Sequence, residues 1–336
     1  MNIAIVGATG NVGRKIIEVL EKKNFPISEL YLIASSKSSG KKISFRGKEL
    51  IVIDLEKFDF SKVKIAFFAA GSSIAEKWAY KAAEKTIVID NSKFFRKDPD
   101  IPLVVPEVNS KELVHVKNKN IIANANCSVI PLVVALKPLH DLYIVKRIVV
   151  STYQSVSGAG KAPMDELLTQ TKEYFDKKNL QSKHFTKQIA FNVIPHIDSF
   201  LENGNTKEEQ KTIDEVKKIL DKKIKITSTC VRIPVLVSHC ISANVEFDKK
   251  YNLEEIKNVL STSPGCKVVD EHKDGGYITP VEAENKYETF ISRIRKDDSQ
   301  SNSINLWVAS DNLLKGAALN AVEIAESLIK KNLHER

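Results

Sequence analysis

Over its first 126 residues the chain alternates short apolar runs with stretches of helical periodicity, an order that few folds accept. Residues 2–7 (NIAIVG) read as a buried strand. Residues 11–23 carry Val12, Ile16, Val19 and Leu20 at helical spacing. Further strands are expected at 31–35, 48–54, 65–70, 86–90 and 120–126, with a helix over 74–85. The alternation predicts an α/β fold with a Rossmann-type, doubly wound, mostly parallel sheet.

The pattern then changes. Residues 146–158 and 223–247 are long β-like runs rich in Val, Ile and Thr, and 288–298 with 303–310 read as a hairpin. Helices are expected over about 162–178, 206–220 and 252–260. This half reads as an α+β domain on a mixed sheet. Residues 311–331 read as one amphipathic helix. The expected division is 1–126 plus 311–336 for one domain and 127–310 for the other. A length of 336 residues with 43% hydrophobic content is enough for two cores.

GATGNVG (7–13) sets Gly7, Gly10 and Gly13 between the first strand and the first helix. The first glycine permits the tight turn, the second lets backbone approach a pyrophosphate, and the third lets helix and strand pack closely. Phosphate oxygens would then meet amides at the helix N-terminus. An NAD site wants an acidic residue near the end of the second strand, for the ribose 2′-hydroxyl. None occurs from Tyr31 to Lys48. Ser35, Ser36, Lys37 and Ser38 stand there instead and offer hydroxyls and a cation to a 2′-phosphate, which favours NADP.

In IIANANCSVIPLVVALKPL (121–139) a strand-like run stops and a cysteine precedes a helix-like run. Pro131 has no N–H and is tolerated only near a helix start, so the helix is expected to begin at about Cys127 or Ser128, with Asn126 as cap. Cys127 then sits at the positive end of a helix dipole, which favours its thiolate. It also sits at the carboxyl end of a parallel strand, where open α/β sheets bind ligands. Cys230, Cys240 and Cys266 lie in β-like or turn segments. The four cysteines form no CxxC pair, so no metal site is expected.

A thiolate nucleophile wants an acid/base partner. His115, His140, His184, His272 and His334 lie in contexts that suggest the surface. His239 follows Arg232 by seven residues in a β-like run. On one continuous strand that spacing puts the two on opposite faces, unless Pro234 marks a turn. His239 is thus either the catalytic imidazole or a satisfied core histidine. QSVSGAG (154–160) is a second Gly/Ser turn after a strand, where Gln154 could hold a carbonyl.

The net charge is +9, but the lysines are spread along the chain without interleaved aromatics, so no nucleic-acid partner is expected. Small anionic ligands suit this surface. No apolar run approaches the ~20 residues of a membrane span, and MNIAIVGATGNVG lacks a signal-peptide pattern. A cytoplasmic location is expected.

Taken together, GATGNVG, residues 90–109, Asn126-Cys127-Ser128, QSVSGAG, FNVIPHID (191–198), ENGNTKEEQK (202–211), VRIPVLVSHC (231–240) and ASDNLLKGAALNA (309–321) resemble the aspartate-β-semialdehyde dehydrogenase family, in its bacterial form, along nearly the whole chain. The resemblance implies NADPH-dependent reduction of L-aspartyl-4-phosphate to the semialdehyde and phosphate, through a thioester on Cys127. It makes His239 the acid/base and Gln154 the residue that orients the substrate carbonyl. It gives Arg232 the α-carboxylate, Glu208 the ammonium, and Arg96 with Lys211 the phosphate. It assigns Gly7, Thr9, Gly10, Asn11, Val12, Gly13, Lys37, Ser38, Ser157, Gly158 and Asn312 to the cofactor. It also implies a C-terminal helix on an NADP-binding domain, a catalytic and dimerisation domain, and a homodimer or homotetramer.

The family usually has a proline before the Asn-Cys pair and a threonine after Cys-Ser, where this chain has Ala125 and Val129. His196 replaces a usual glutamine and adds a second candidate imidazole. Two rival readings are another acyl-phosphate reductase, such as N-acetyl-γ-glutamyl-phosphate reductase, and an NADP-sensing regulator. A free ammonium partner at Glu208 separates the first, and a sensor has no need of a thiol at a helix start.

Overall fold

The computed structural model describes residues 1–334. Residues 335 and 336, which the sequence reading puts in the first domain, lie outside the described residues. The chain forms two compact units: residues 1–125 with the segment from Ala317 onward, and residues 126–316.

The first unit runs through β1 (Ile3–Val6), α1 (Asn11–Lys22), β2 (Leu30–Ala34), β3 (Lys42–Phe45), β4 (Lys48–Ile51), β5 (Ile53–Asp54) and β6 (Ile65–Phe68). It continues through α2 (Ser72–Ala83), β7 (Ile87–Asp90), β8 (Leu103–Val104), α3 (Pro106–Asn109) and β9 (Ile121–Asn124). The second unit holds α4 (Val129–Tyr143), β10 (Val145–Gln154), α5 (Lys161–Phe175), α6 (Lys207–Ile219), β11 (Lys225–Arg232) and β12 (His239–Phe247). It ends with α7 (Leu253–Thr262), β13 (Cys266–Val268), α8 (Pro280–Ala283), β14 (Thr289–Lys296) and β15 (Ser303–Ser310). The final helix α9 (Leu319–Lys330) belongs to the first unit.

The first unit is a seven-stranded sheet in the order β5-β2-β1-β6-β7-β9-β8, parallel at every pairing. Its central strands β1, β6, β7 and β9 are buried at every position, as a sheet covered on both faces requires. The 48–54 run is not one strand. Lys48–Ile51 pairs antiparallel with β3 in a separate ribbon, and only Ile53 and Asp54 join the large sheet. Val52 is turned inward between them (1% exposed), which splits the run.

The second unit is a mixed six-stranded sheet in the order β11-β10-β12-β15-β14-β13. The 223–247 run divides at residues 233–238 into two strands, at the turn signalled by Pro234. The expected hairpin is present as β14 and β15, with an irregularity between Ser292 and Arg295. The single helix expected over 311–331 does not form. A π-turn occupies Leu314–Ala318, and the regular helix starts only at Leu319. The Asp311 carboxylate captures the Leu313 and Leu314 amides (2.8 and 3.0 Å), and the Gly316 N–H reaches back to the Asp311 carbonyl (3.0 Å), which widens the turn.

Candidate active site

Cys127 lies in the turn between β9 and α4, and its neighbour Asn126 is fixed at every polar atom. The Asn126 main-chain N–H donates to Glu215 Oε2 (2.6 Å), its Nδ2 donates to Glu208 Oε1 (2.9 Å), and its Oδ1 accepts from Ser128 N (2.9 Å). Its carbonyl accepts from Val129 and Ile130. Asn126 therefore caps the turn, although regular helix begins at Val129 rather than at 127 or 128. The half-buried thiol sits at the amino end of a 15-residue helix. Gly316 packs on it from behind: a methyl group there would lie 3.0 Å from the Cys127 carbonyl and 3.1 Å from its Cβ.

The other three thiols have structural settings. Burial pushes Cys230 up to about 11 and Cys240 up to about 12. Cys266 donates to the Val134 carbonyl at 3.6 Å. That carbonyl lacks its helical partner because Pro138, four residues on, has no N–H.

Three candidate side chains form one row across the second sheet. Gln154 ends β10, with Arg232 as its parallel partner on β11 and His239 as its antiparallel partner on β12. Residues paired in register project to the same face. All three are at most 5% exposed. Thr152 donates to Gln154 Oε1 (3.0 Å), so the Gln154 amide nitrogen points to Glu208 Oε1 (3.2 Å). Asn126 and Gln154 thus share one Glu208 oxygen, which ties the cysteine turn to the row. Burial lowers the pKa of Arg232, while the charges of Glu208 and of a Cys127 thiolate favour the guanidinium.

Helix α6 supplies the acidic side. Thr206 and Glu209 close a capping box at its start, and Glu208, Lys211 and Glu215 then fall along one face. Burial alone would raise the Glu208 pKa. The Lys211 charge, with hydrogen bonds from Lys211, Asn126 and Gln154, outweighs it and holds the carboxyl at about 2. Lys211 is ion-paired to Glu208 and, at 3.2 Å, to Asp198. Burial opposes its charge, but the two carboxylates raise its pKa.

His239 is buried (1% exposed), and Ser155 holds it. The Ser155 main-chain N–H donates to Nδ1 at 3.0 Å, while the Ser155 carbonyl accepts from Arg232 Nη1 at 2.6 Å. Burial, and then the Arg232 charge, lower the imidazole pKa to about 3. Asn312 Oδ1 accepts from Ser155 Oγ, Ser157 Oγ and Ser238 N, so Ser157 and Asn312 brace this turn. Gly158 lies open above it. His196 instead stacks on Phe200 at 4.4 Å. Of the histidines expected at the surface, His140 is half-buried and its Nδ1 accepts from Val145 N.

The glycine turn fits a dinucleotide. Gly7 has φ +89°, and a methyl group there would meet the Ala69 carbonyl at 2.6 Å; at Gly13 it would meet the Gly7 carbonyl at 2.1 Å. Beside Gly10 the nearest atom is 3.4 Å away, and no side chain caps the helix amides. Thr9, Asn11 and Val12 line this turn at partial exposure. Lys37 is exposed and Ser38 half-buried, on the 3-10 turn that follows β2. Arg96 belongs to the first unit, where its Nε donates to the Asn124 carbonyl (2.9 Å) and its Nη2 to the Asn91 carbonyl (3.1 Å).

The sequence reading missed Glu215, Asp198, Ser155, Asp311 and Gly316. Only Glu215 left a trace, as the residue one heptad after Glu208 on a helix of clear periodicity.

Such a fold, with a dinucleotide turn in one unit and a helix-start cysteine beside a polar row in the other, defines a two-domain oxidoreductase. The comparisons specify it further. Residues 2–116 match the model of the semialdehyde dehydrogenase NAD-binding domain, and residues 136–315 that of the semialdehyde dehydrogenase dimerisation domain. Aspartate-semialdehyde dehydrogenase of Rickettsia bellii is 48% identical over 333 residues, covering 99% of this chain and 98% of the relative. That of Aquifex aeolicus is 49% identical over 335 residues, covering 98% of each. Aspartate semialdehyde dehydrogenase II of Vibrio cholerae, solved as a complex with ASA, superposes with a TM-score of 0.96 at 46% identity, covering 98% of both chains. The chain belongs to the aspartate-semialdehyde dehydrogenase family.

Proposed function

We propose that this chain catalyses the NADPH-dependent reductive dephosphorylation of L-aspartyl-4-phosphate to L-aspartate-4-semialdehyde, a step in lysine, threonine and methionine synthesis. The observation that carries the reading is the Arg232–Gln154–His239 row, joined to the Cys127 turn through Glu208. The planar Arg232 fork suits a substrate α-carboxylate. Glu208, ionised to low pH, suits the ammonium. That pairing favours an amino acid with a free amine over an N-acylated substrate.

Cys127 attacks the acyl carbon; a C–S bond forms and the acyl C–O bond breaks. The electron pair leaves with phosphate, which takes a proton from solvent. Arg96 and Lys211 are the cations proposed to receive the phosphate, Lys211 by exchanging its carboxylate partners. Gln154 holds the carbonyl. The Gly7–Gly13 turn, with Ser157, Gly158 and Asn312, would hold NADPH, which would supply the hydride. His239 is the acid/base: it protonates the oxyanion to a thiohemiacetal, then takes the proton back as C=O re-forms, the C–S bond breaks and Cys127 leaves as the thiolate. Covalent catalysis of this kind divides one hard step into two.

Lys37 and Ser38 support a 2′-phosphate and hence NADP over NAD. The match to a dimerisation domain, with Phe175 and Phe191 strongly exposed in that unit (72% and 57%), supports a homodimer or a tetramer built from it. We place the enzyme in the cytoplasm, where its thiols stay reduced; among the described residues no helix is long and apolar enough to cross a membrane.

The test is phosphate-dependent oxidation of aspartate semialdehyde, followed as NADPH absorbance, with NAD as the comparison. Phosphate-dependent NADPH formation supports the reading; none with either nucleotide overturns it.

A further inference from the structure

Strands β7 and β9 lie side by side, and their mutual pairing ends at Asp90 and Ala123. The next residue along each is an asparagine. Asn124 Nδ2 donates to Asn91 Oδ1 at 2.7 Å, so a side-chain bridge carries the pairing one step past its last main-chain pair. The carbonyls of the same two residues both accept from Arg96: Nε donates to Asn124 O at 2.9 Å and Nη2 to Asn91 O at 3.1 Å. Arg96 thus sits at the carboxyl ends of two parallel strands, where open α/β sheets bind their ligands.

The bridge is itself held from behind. Asn320, in the first turn of α9, donates from Nδ2 to Asn124 Oδ1 (2.6 Å) and to the Val104 carbonyl (3.1 Å). Asn124 Nδ2 also reaches the Ala317 carbonyl (2.9 Å), and Asn91 Nδ2 the Phe68 carbonyl (3.2 Å). Main-chain carbonyls only accept, so they fix which end of each amide is nitrogen. Turning any one amide over would set oxygen against oxygen. Asn320, Asn124 and Asn91 therefore form one chain of defined polarity that ends on the two carbonyl-bearing residues of Arg96. Asn124 and Asn320 are fully buried. Buried amides cost desolvation that apolar side chains would not. What they add is direction. A guanidinium is planar, so fixing its Nε–Nη2 edge fixes the whole fork.

We propose that Asn91, Asn124 and Asn320 are positioning residues for Arg96, which they aim at the phosphate of the substrate. The inference rests on the phosphate role proposed for Arg96 above and extends the frame of that site to the first turn of the last helix. The three asparagines act through Arg96 and not on the phosphate itself.

Two measurements test this. The first uses resting protein with 15N at the arginine Nε. The Arg96 Nε–H, assigned by the signal lost in Arg96→Lys, is expected to exchange slowly with solvent, because the Asn124 carbonyl holds it. Asn91→Ala keeps both carbonyls and removes the bridge, and is expected to speed that exchange at least about tenfold. Unchanged exchange overturns the positioning role, whatever the substrate proves to be.

The second is a double-mutant cycle on the oxidation of aspartate semialdehyde. Asn91→Ala and the more distant Asn320→Ala are each expected to raise KM for inorganic phosphate about tenfold. KM for the semialdehyde and for NADP should stay within about twofold of wild type. In an Arg96→Lys background the same substitutions should leave the phosphate KM unchanged. A rise in all three constants together, or an equal rise in the Arg96→Lys background, is mere structural damage and overturns the proposal. Should Asn320→Ala fail to fold, Asn91→Ala carries the test, since that side chain is only half-buried. A wild type without phosphate-dependent turnover would sink the functional reading and the phosphate target with it, while the exchange measurement still decides the frame.

Discussion

Arg232 and His239, seven residues apart in sequence, flank Gln154 from opposite sides in one row of the six-stranded sheet. The turn at 233–238 reverses the chain, and β10 lies between the two strands it joins. Register then decides the faces. An odd spacing that would separate the two on one strand brings them together across three.

That row makes Arg232 hard to replace. Its Nη1 donates to the Ser155 carbonyl while the rest of the fork is proposed to take the substrate carboxylate. Lysine keeps the charge but not the planar geometry. Arg232→Lys is expected to lower kcat/KM for the semialdehyde by about 100-fold, roughly the 2.7 kcal/mol that such a factor represents. Steady-state kinetics on the variant would show it. A change under about threefold would argue against Arg232 as the carboxylate partner.

Thiol chemistry should single out one cysteine of four. Cys230 and Cys240 are held protonated by burial, and Cys266 is engaged with the carbonyl that Pro138 leaves open. Limiting iodoacetamide at pH 7 is expected to label Cys127 first, with aspartate semialdehyde slowing the labelling. Cys127→Ala should lose activity by at least on the order of a thousandfold, as for other covalent nucleophiles. Peptide mapping checks the first expectation, and preferential labelling at another site would sink it.

Much of this was legible in the chain. The glycine triplet and the Cys127 corner are local features, each enforced by backbone geometry within about ten residues, so sequence alone exposes them. The Arg232–His239 pairing depends on which strands become neighbours, a long-range outcome that periodicity does not encode. The same holds for Glu215 at the Asn126 amide, and for Ser155, whose N–H and carbonyl reach His239 and Arg232 from neighbouring strands while its hydroxyl meets Asn312 far along the chain. The 48–54 run failed as a single strand because its apolar residues serve two different sheets. The 311–331 helix failed because a buried carboxylate, Asp311, captures its first amides, and periodicity is blind to that.

Acid should weaken the site through Glu208. A carboxyl whose folded pKa is depressed contributes stability that is full above its unfolded value, near 4.5, and fades as pH falls toward about 2. Glu208→Gln removes that contribution. The Tm difference between wild type and variant is therefore expected to be largest above about pH 5 and to shrink below about 4. Calorimetry across that range is the check, and a difference that grows with acid would contradict the assignment.

Gly158 supplies the cleanest separation of activity from stability. It is exposed, its φ is not in the left-handed region, and its substitution by alanine therefore strains no backbone. A methyl group there nevertheless lies 3.1 Å from His239 Nε2 and 3.2 Å from Arg232 Nη1, inside ordinary van der Waals separation. Both side chains are buried and held by Ser155, so the small shift they must make displaces the groups that face the substrate while their hydrogen bonds stretch without breaking. Misplacing catalytic groups by a fraction of an ångström to about 1 Å costs up to roughly 100-fold. Gly158→Ala is expected to lose about 10- to 100-fold in kcat/KM while its Tm stays within about 3 °C of wild type. A variant of normal activity would mean that the space above Gly158 is not where the reacting oxygen sits.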